Sequence, residues 1–266
     1  ALREAETNSA NGWAVYQDQA AEDSVRTATE WRRYIGQALE EDWLIVQRQP
    51  VFNTADRSLL HEEVYVRLAD NGNVNNLLNA GAFMPMAQSL GLATAIDRRV
   101  VEKVLGILHT EQEGRLAINI SPLSLDDSDF IDWLKKTFAE NRDEAKRLIL
   151  EFPEYGVVKK LKKLCDFNKH LMSYGVQLSL DHFGRGFSSF AYLQSIKLGY
   201  MKIDGSYLQE IESNAENRLF VQALTDIAHG LDITIVAESV ETEAVWQMLS
   251  TLKVDAGQGY YLAKPS

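Results

Sequence analysis

The chain of 266 residues carries 27 Lys and Arg against 38 Asp and Glu, a formal net charge of −11. That balance argues against a protein tracking a nucleic-acid polymer through a basic surface, but not against a small phosphorylated ligand held by a few arginines or a metal. Hydrophobic residues make up 45% and charged residues 24%, which suits one large core, and α/β barrels of this length are commonly single domains.

In chain order, residues 1–16 carry Asn8, Ser9, Asn11 and Gly12 and end in a short β-like run, Trp13-Ala14-Val15-Tyr16. A polar stretch follows, then a helix around Glu30 to Glu40. From about residue 43, β-rich runs alternate with amphipathic stretches. The predicted strands are Leu44 to Phe52, Glu62 to Leu68, Leu116 to Ile120, Leu148 to Phe152, Val176 to Leu180, Tyr200 to Ile203, Ile233 to Ala237 and Gly259 to Leu262. Between most of them apolar residues recur at three- and four-residue spacing, as in Leu219-Phe220-Ala223-Leu224-Ile227-Ala228. Eight strands separated mainly by helices indicate a TIM-like (β/α)8 barrel of parallel strands. The single cysteine, Cys165, rules out an intrachain disulfide and fits a reducing compartment. No apolar run is long enough to span a bilayer, and no signal-peptide pattern is present. A cytoplasmic domain is therefore expected, which is compatible with an inner-membrane anchor outside these residues.

Polar groups gather at the predicted strand ends: Glu63, Asn119, Glu151 and Glu154 around Pro153, Asp181, Lys202 and Asp204, Glu238, and Gln258 before Gly259. A parallel barrel brings such ends into one mouth. Carboxylates concentrated there repel unless a cation lies among them, which points to Mg²⁺ or Mn²⁺. Bound metal neutralises a phosphodiester and activates water, and Lys202 is placed to orient that water or stabilise developing charge. Taken singly, each acid is equally a helix cap or an ion-pair partner. Arg67, four residues from Glu63, shares its strand face and reads either as a phosphate-binding arginine or as the partner of Glu63. Gly184 and Gly186 permit a tight loop after Asp181-His182-Phe183.

The landmarks Gln49-Pro50, Glu63-Val64-Tyr65-Val66-Arg67, Asn119-Ile120-Ser121, Glu151-Phe152-Pro153-Glu154, Asp181-His182-Phe183-Gly184, Lys202-Ile203-Asp204, Glu238-Ser239-Val240-Glu241 and Gln258-Gly259-Tyr260 occur in order. Together they resemble the EAL-domain family of cyclic-di-GMP phosphodiesterases. The resemblance implies that Glu63, Asn119, Glu151 and Asp181 are metal ligands, Lys202 a water-positioning lysine and Glu238 a base or further ligand. It also implies that Glu154 steadies the glycine-rich loop, while Gln49, Arg67, Asp204 and Gln258 contact nucleotide. Residues 1–16 resemble the last helix and strand of a GGDEF domain. Residues 1–28 are accordingly expected to be a GGDEF-like remnant plus linker, and 29–266 the EAL domain.

Beside milder changes at Val64 and Ser239, departures from the family pattern fall at three positions that bear on the site. Tyr65 replaces leucine, Pro153 replaces threonine, and His182 replaces the aspartate that serves the metal pair. Imidazole is a poor Mg²⁺ ligand, so the second metal site is expected to be weakened or lost. The departures favour a degenerate member of the LapD or FimX type, binding cyclic-di-GMP with little or no hydrolysis. The alternatives are a slow phosphodiesterase yielding pGpG, and a nucleotide-independent interaction module of the CsrD type. Partners implied by the resemblance are cyclic-di-GMP, a GGDEF-like domain in the same full-length protein, an EAL homodimer and an unidentified downstream protein.

Overall fold

The computed structural model describes residues 26–184 and 190–266. The GGDEF-like segment expected over residues 1–28 therefore falls almost wholly outside the described residues, as does Gly186.

Chain entry is set by a capping box. The Thr27 side chain accepts from Glu30 N, and Glu30 reaches back to Thr27 N, starting helix α1 (Ala28–Glu40). Strands β1 (Leu44–Asn53), β2 (Leu59–Asp70) and β3 (Asn73–Asn79) follow, then helices α2 (Ala80–Ser89) and α3 (Ala93–Thr110). Strand β4 (Leu116–Asn119) leads to α4 (Ser128–Glu140) and α5 (Arg142–Ala145), and β5 (Leu148–Pro153) to α6 (Glu154–Val157) and α7 (Leu161–Ser173). The rest is β6 (Gln177–Phe183), β7 (Tyr200–Ile203), α8 (Ala215–Gly230), β8 (Thr234–Ala237), α9 (Glu243–Thr251) and the two-residue β9 (Ala256–Gly257). No helix among the described residues is long and apolar enough to cross a membrane.

Eight strands close in the order β1-β9-β8-β7-β6-β5-β4-β2, with β1 pairing back onto β2, and β3 adds an outer strand on β2. The barrel is not wholly parallel, because β1 runs antiparallel to both of its neighbours. Residues 54–58 are too few for a crossover, so β1 and β2 form a hairpin. Strand β3 is absent from the hydrophobic pattern because its asparagines favour turns. Its signal is Asn71-Gly72, both at positive φ, the two-residue turn that fits a tight hairpin.

The Gly259 to Leu262 strand does not form. Leu262 N and Ala263 N both donate to the Gly259 carbonyl, so the run turns, and the last strand is Ala256–Gly257. A Cβ on Gly259 would lie 2.1 Å from the Val240 carbonyl oxygen, so only glycine permits this approach.

Strand alternation divides the barrel. Outward residues such as Val64, Ile118, Leu150, Leu180, Met201 and Ile235 pack under the helices, where α3 supplies Ile96, Val100, Val104 and Leu108 at helical spacing. Inside, Val51, Ala117, Ile149, Tyr200, Val236 and Ala256 form an apolar plug. Two residues further toward the mouth lie Gln49, Asn119, Glu151, Lys202, Glu238 and Gln258. The period of two that builds the plug thus also builds the site.

Candidate functional site

Lys202 is the hub of the mouth. Its Nζ lies 2.7 Å from Glu63 Oε2, 3.0 Å from Glu238 Oε1, 3.2 Å from Glu151 Oε2 and 3.5 Å from Asp181 Oδ1. Both Lys202 and Glu151 are fully buried. Desolvation alone would lower the lysine pKa, but the four carboxylates outweigh it and raise it well above the ordinary value. The acids separate. Burial raises Glu151 to about 8 and Asp181 to about 6, in both cases against the pull of Lys202. Glu238 falls to about 2 despite its burial, because Lys202 and His182 both favour its anion.

The strand register changes at Asp181-His182, between the pairings of Leu180 and Phe183 with β7. Plain alternation would point Asp181 into the barrel and His182 away from it. The irregularity, together with a left-handed φ of 53° at His182, brings both into the mouth. Asp181 Oδ1 accepts the His182 backbone N–H at 2.9 Å, an internal brace for a conformation that costs a non-glycine residue about 1 kcal/mol or more. The imidazole then lies among three acids: Nε2 is 3.4 Å from Asp181 Oδ2, and Nδ1 is 3.3 Å from both Asp204 Oδ2 and Glu238 Oε2. Contact with Glu238 raises its pKa to about 9, reinforced by Asp181 and opposed by burial.

The remaining predicted site residues separate into those at the mouth and those held elsewhere. Asn119 Nδ2 donates to Glu63 Oε1 at 2.8 Å, and Tyr65 Oη donates to Glu63 Oε2 at 3.0 Å. Glu154, at the start of α6, accepts Gly184 N at 3.0 Å and Tyr192 Oη at 2.8 Å, so it braces the stem of the glycine-rich loop. Pro153 ends β5 opposite Asp181. Gln49 donates to the Ala263 carbonyl, Asp204 caps the turn at Ser206 N, and Gln258 is buried with no acceptor for Nε2 among the described residues. The Glu63–Arg67 ion pair allowed by the spacing does not form. Arg67 instead donates to the Val66 carbonyl and stands over the Tyr65 ring at 5.4 Å.

Two cavities open on this cluster. One, of about 330 Å³, runs from Asp181, His182 and Glu238 past Asn119 to an apolar wall that includes Val66, Met84, Val100 and Ile120. The other, of about 300 Å³, is lined by Gln49, Ser239, Glu241, Gln258 and Tyr260. Tyr65 and Glu238 border both.

Several shaping residues escape the strand-end pattern. Asp97 on α3 accepts Ser121 N and Ser124 Oγ, fixing the loop after β4, and burial raises it to about 7 against those hydrogen bonds. An acid on the otherwise apolar face Ile96-Asp97-Val100-Val101 is the signal that could have found it. Tyr207 donates to the Gly184 carbonyl at 2.5 Å and stacks on Phe220. Gly184 has φ 91°, and a Cβ there would meet both rings at 3.1 Å.

The donor set suits a hard cation. Oxygen atoms predominate, Glu151 Oε1 is buried without a hydrogen-bond partner among the described residues, and Asp181 and Glu238 bring carboxylate oxygens within 4.8 Å of each other, with the His182 ring as the one nitrogen group beside them.

The chain is similar to several known proteins. The cyclic di-GMP phosphodiesterase PdeF of Escherichia coli is 31% identical over 86% of this chain and 31% of its own length. The RNase E specificity factor CsrD of the same organism is 27% identical over 99% of this chain and 40% of its own. The chain thus spans well under half the length of these relatives. The FimX EAL domain from Pseudomonas aeruginosa, solved bound to c-di-GMP, superposes with a TM-score of 0.82 at 26% identity, covering 89% of this chain and 96% of that one. The sequence profile described as EAL domain matches residues 32–265, and the chain belongs to the EAL domain family.

Proposed function

We propose that this EAL domain is a cyclic-di-GMP receptor with little or no hydrolytic turnover. The observation that carries the reading is the position of His182, whose ring fills the space between Asp181, Asp204 and Glu238 at 3.3–3.4 Å. A second Mg²⁺ or Mn²⁺ would need oxygen ligands at about 2.1 Å in that space, where this chain offers an imidazole. Glu63, Asn119, Glu151 and Asp181 would hold a single cation. When bound, it would neutralise phosphate charge and lower the pKa of a coordinated water. Without a second cation, Lys202 is left to hold the acids together, a structural task in addition to any catalytic one.

The two cavities meeting at Tyr65 and Glu238 suit an extended ligand with a base at each end and its phosphates near the acids. Gln49 lines the second cavity and Arg67 stands over the Tyr65 ring that borders both, which supports their contact with the nucleotide, and Glu154 holds the Gly184 amide. A GGDEF-like segment upstream, an EAL homodimer and a downstream protein complete the proposed receptor. The intact set of Glu63, Asn119, Glu151, Asp181 and Lys202 favours a second reading, a slow phosphodiesterase releasing pGpG.

Calorimetry with cyclic-di-GMP in EDTA, followed by incubation with Mn²⁺ and chromatography of the nucleotide, tests both. Binding with unchanged nucleotide is expected, and Arg67→Ala should weaken it. Absence of binding at tens of micromolar protein would remove the receptor reading. Rapid conversion to pGpG would show instead that His182 is compatible with catalysis.

A further inference from the structure

Glu63 has neither carboxylate oxygen unengaged. Oε1 accepts Asn119 Nδ2 at 2.8 Å, and Oε2 accepts both Lys202 Nζ at 2.7 Å and Tyr65 Oη at 3.0 Å. The residue is 2% exposed, so these contacts stand in place of hydration. A carboxylate offers about four lone-pair directions, and protein donors hold three of them.

Asn119 and Lys202 reach Glu63 from other strands, whereas Tyr65 reaches it from the same one. Two-residue spacing puts the phenol beside the acid on the inner face of β2. The ring is itself held, with the Arg67 guanidinium 5.4 Å from its centroid and its faces bordering both cavities. Leucine or phenylalanine at this position would fill similar space without donating to Glu63.

We propose that Tyr65 is a positioning residue that latches Glu63 in a metal-free arrangement, so that a divalent cation reaches Oε2 only in competition with the phenol and the Lys202 ammonium. The inference rests on the reading of Glu63 as a cation ligand. An incoming cation needs an unshared oxygen lone pair, and on Oε2 the phenol and the ammonium already compete for the available directions. Tyr65 thereby sets the cation concentration at which the mouth changes from lysine-held to metal-held. Because Tyr65 also borders both cavities, release of the phenol on metal binding would alter their shared lining.

The test uses the purified chain without nucleotide and Mn²⁺ alone, with free Mn²⁺ counted by electron paramagnetic resonance. Tyr65→Phe removes one hydroxyl and is expected to tighten Mn²⁺ binding about tenfold, the worth of a hydrogen bond to a charged group. Tyr65→Leu should act in the same direction, and thermal melts confirm that each variant folds. In a Glu63→Gln background the gain from Tyr65→Phe should vanish. Unchanged or weaker affinity in a folded Tyr65→Phe protein, or a gain that persists without the Glu63 carboxylate, overturns the latch. If Glu63→Gln alone leaves Mn²⁺ affinity unaltered, Glu63 is not a ligand and the underlying reading falls as well. If Glu63→Gln weakens binding while Tyr65→Phe does not tighten it, only the latch falls.

Discussion

Lys202 and Glu63, 139 residues apart, meet at 2.7 Å in the centre of the barrel, where both side chains are essentially buried. Around this pair Glu151, Asp181 and Glu238 complete a ring of acids that one ammonium holds together.

Lys202→Met should therefore destabilise the domain by about 3–5 kcal/mol, because removing one partner of a buried ion cluster leaves like charges uncompensated. Urea denaturation in EDTA measures the loss. Millimolar Mn²⁺ should restore part of it, since a cation bound among the acids would replace the missing charge.

His182→Asp supplies an oxygen ligand where the imidazole lies between Asp181, Asp204 and Glu238. Mn²⁺-dependent formation of pGpG should rise on the order of tenfold or more, a barrier change of about 1.4 kcal/mol per factor of ten. An unchanged rate would place the catalytic defect at Tyr65 or Pro153 instead.

His61 lies below the mouth, buried against Tyr200, and neither ring nitrogen has a hydrogen-bond partner among the described residues. Burial, aided by the charges of Lys202 and Arg115, lowers its pKa from 6.5 to about 3. Between those values the unfolded chain binds more protons than the native one. The His61 contribution to stability is thus fully present above pH 6.5 and is lost as pH falls toward 3, at up to about 1.4 kcal/mol per unit. Denaturation at pH 7, 6 and 5 should show a difference between wild type and His61→Leu that shifts in favour of the variant as pH drops.

Glu154→Ala removes the acceptor of the Gly184 amide and the Tyr192 hydroxyl. A charge-assisted bond of this kind is worth about 1.5–3 kcal/mol, so the Gly184 amide should exchange with solvent at least about tenfold faster. Cyclic-di-GMP affinity, measured alongside, should fall through disorder of the loop stem and not through loss of a direct contact.

The sequence alone determined the barrel and most of its mouth, because both follow from a period of two. The residue two positions beyond each apolar plug residue is polar: Ala117 leads to Asn119, Ile149 to Glu151, Tyr200 to Lys202 and Val236 to Glu238. The sequence also places a helix around Glu30 to Glu40, which the structure extends back to Ala28 through the capping box between Thr27 and Glu30. Strand β3 and the closing strand at Ala256–Gly257 were less legible. Hairpin pairing made the first from an asparagine-rich run, and close packing of Gly259 on Val240 turned the apolar run that follows the second.

Tertiary structure alone decided how the charges are shared. Spacing allowed an ion pair between Glu63 and Arg67, but Glu63 is committed to Lys202 and Asn119 through contacts that only barrel closure creates, and to Tyr65 on its own strand. Alternation would have sent His182 outward, yet the irregularity between β6 and β7 brings it in among Asp181, Asp204 and Glu238. Side-chain direction along a regular strand is a local property and can be read from sequence. A departure from that regularity, and the partner a buried charge selects, depend on strands far apart in the chain, and only the closed barrel brings them together.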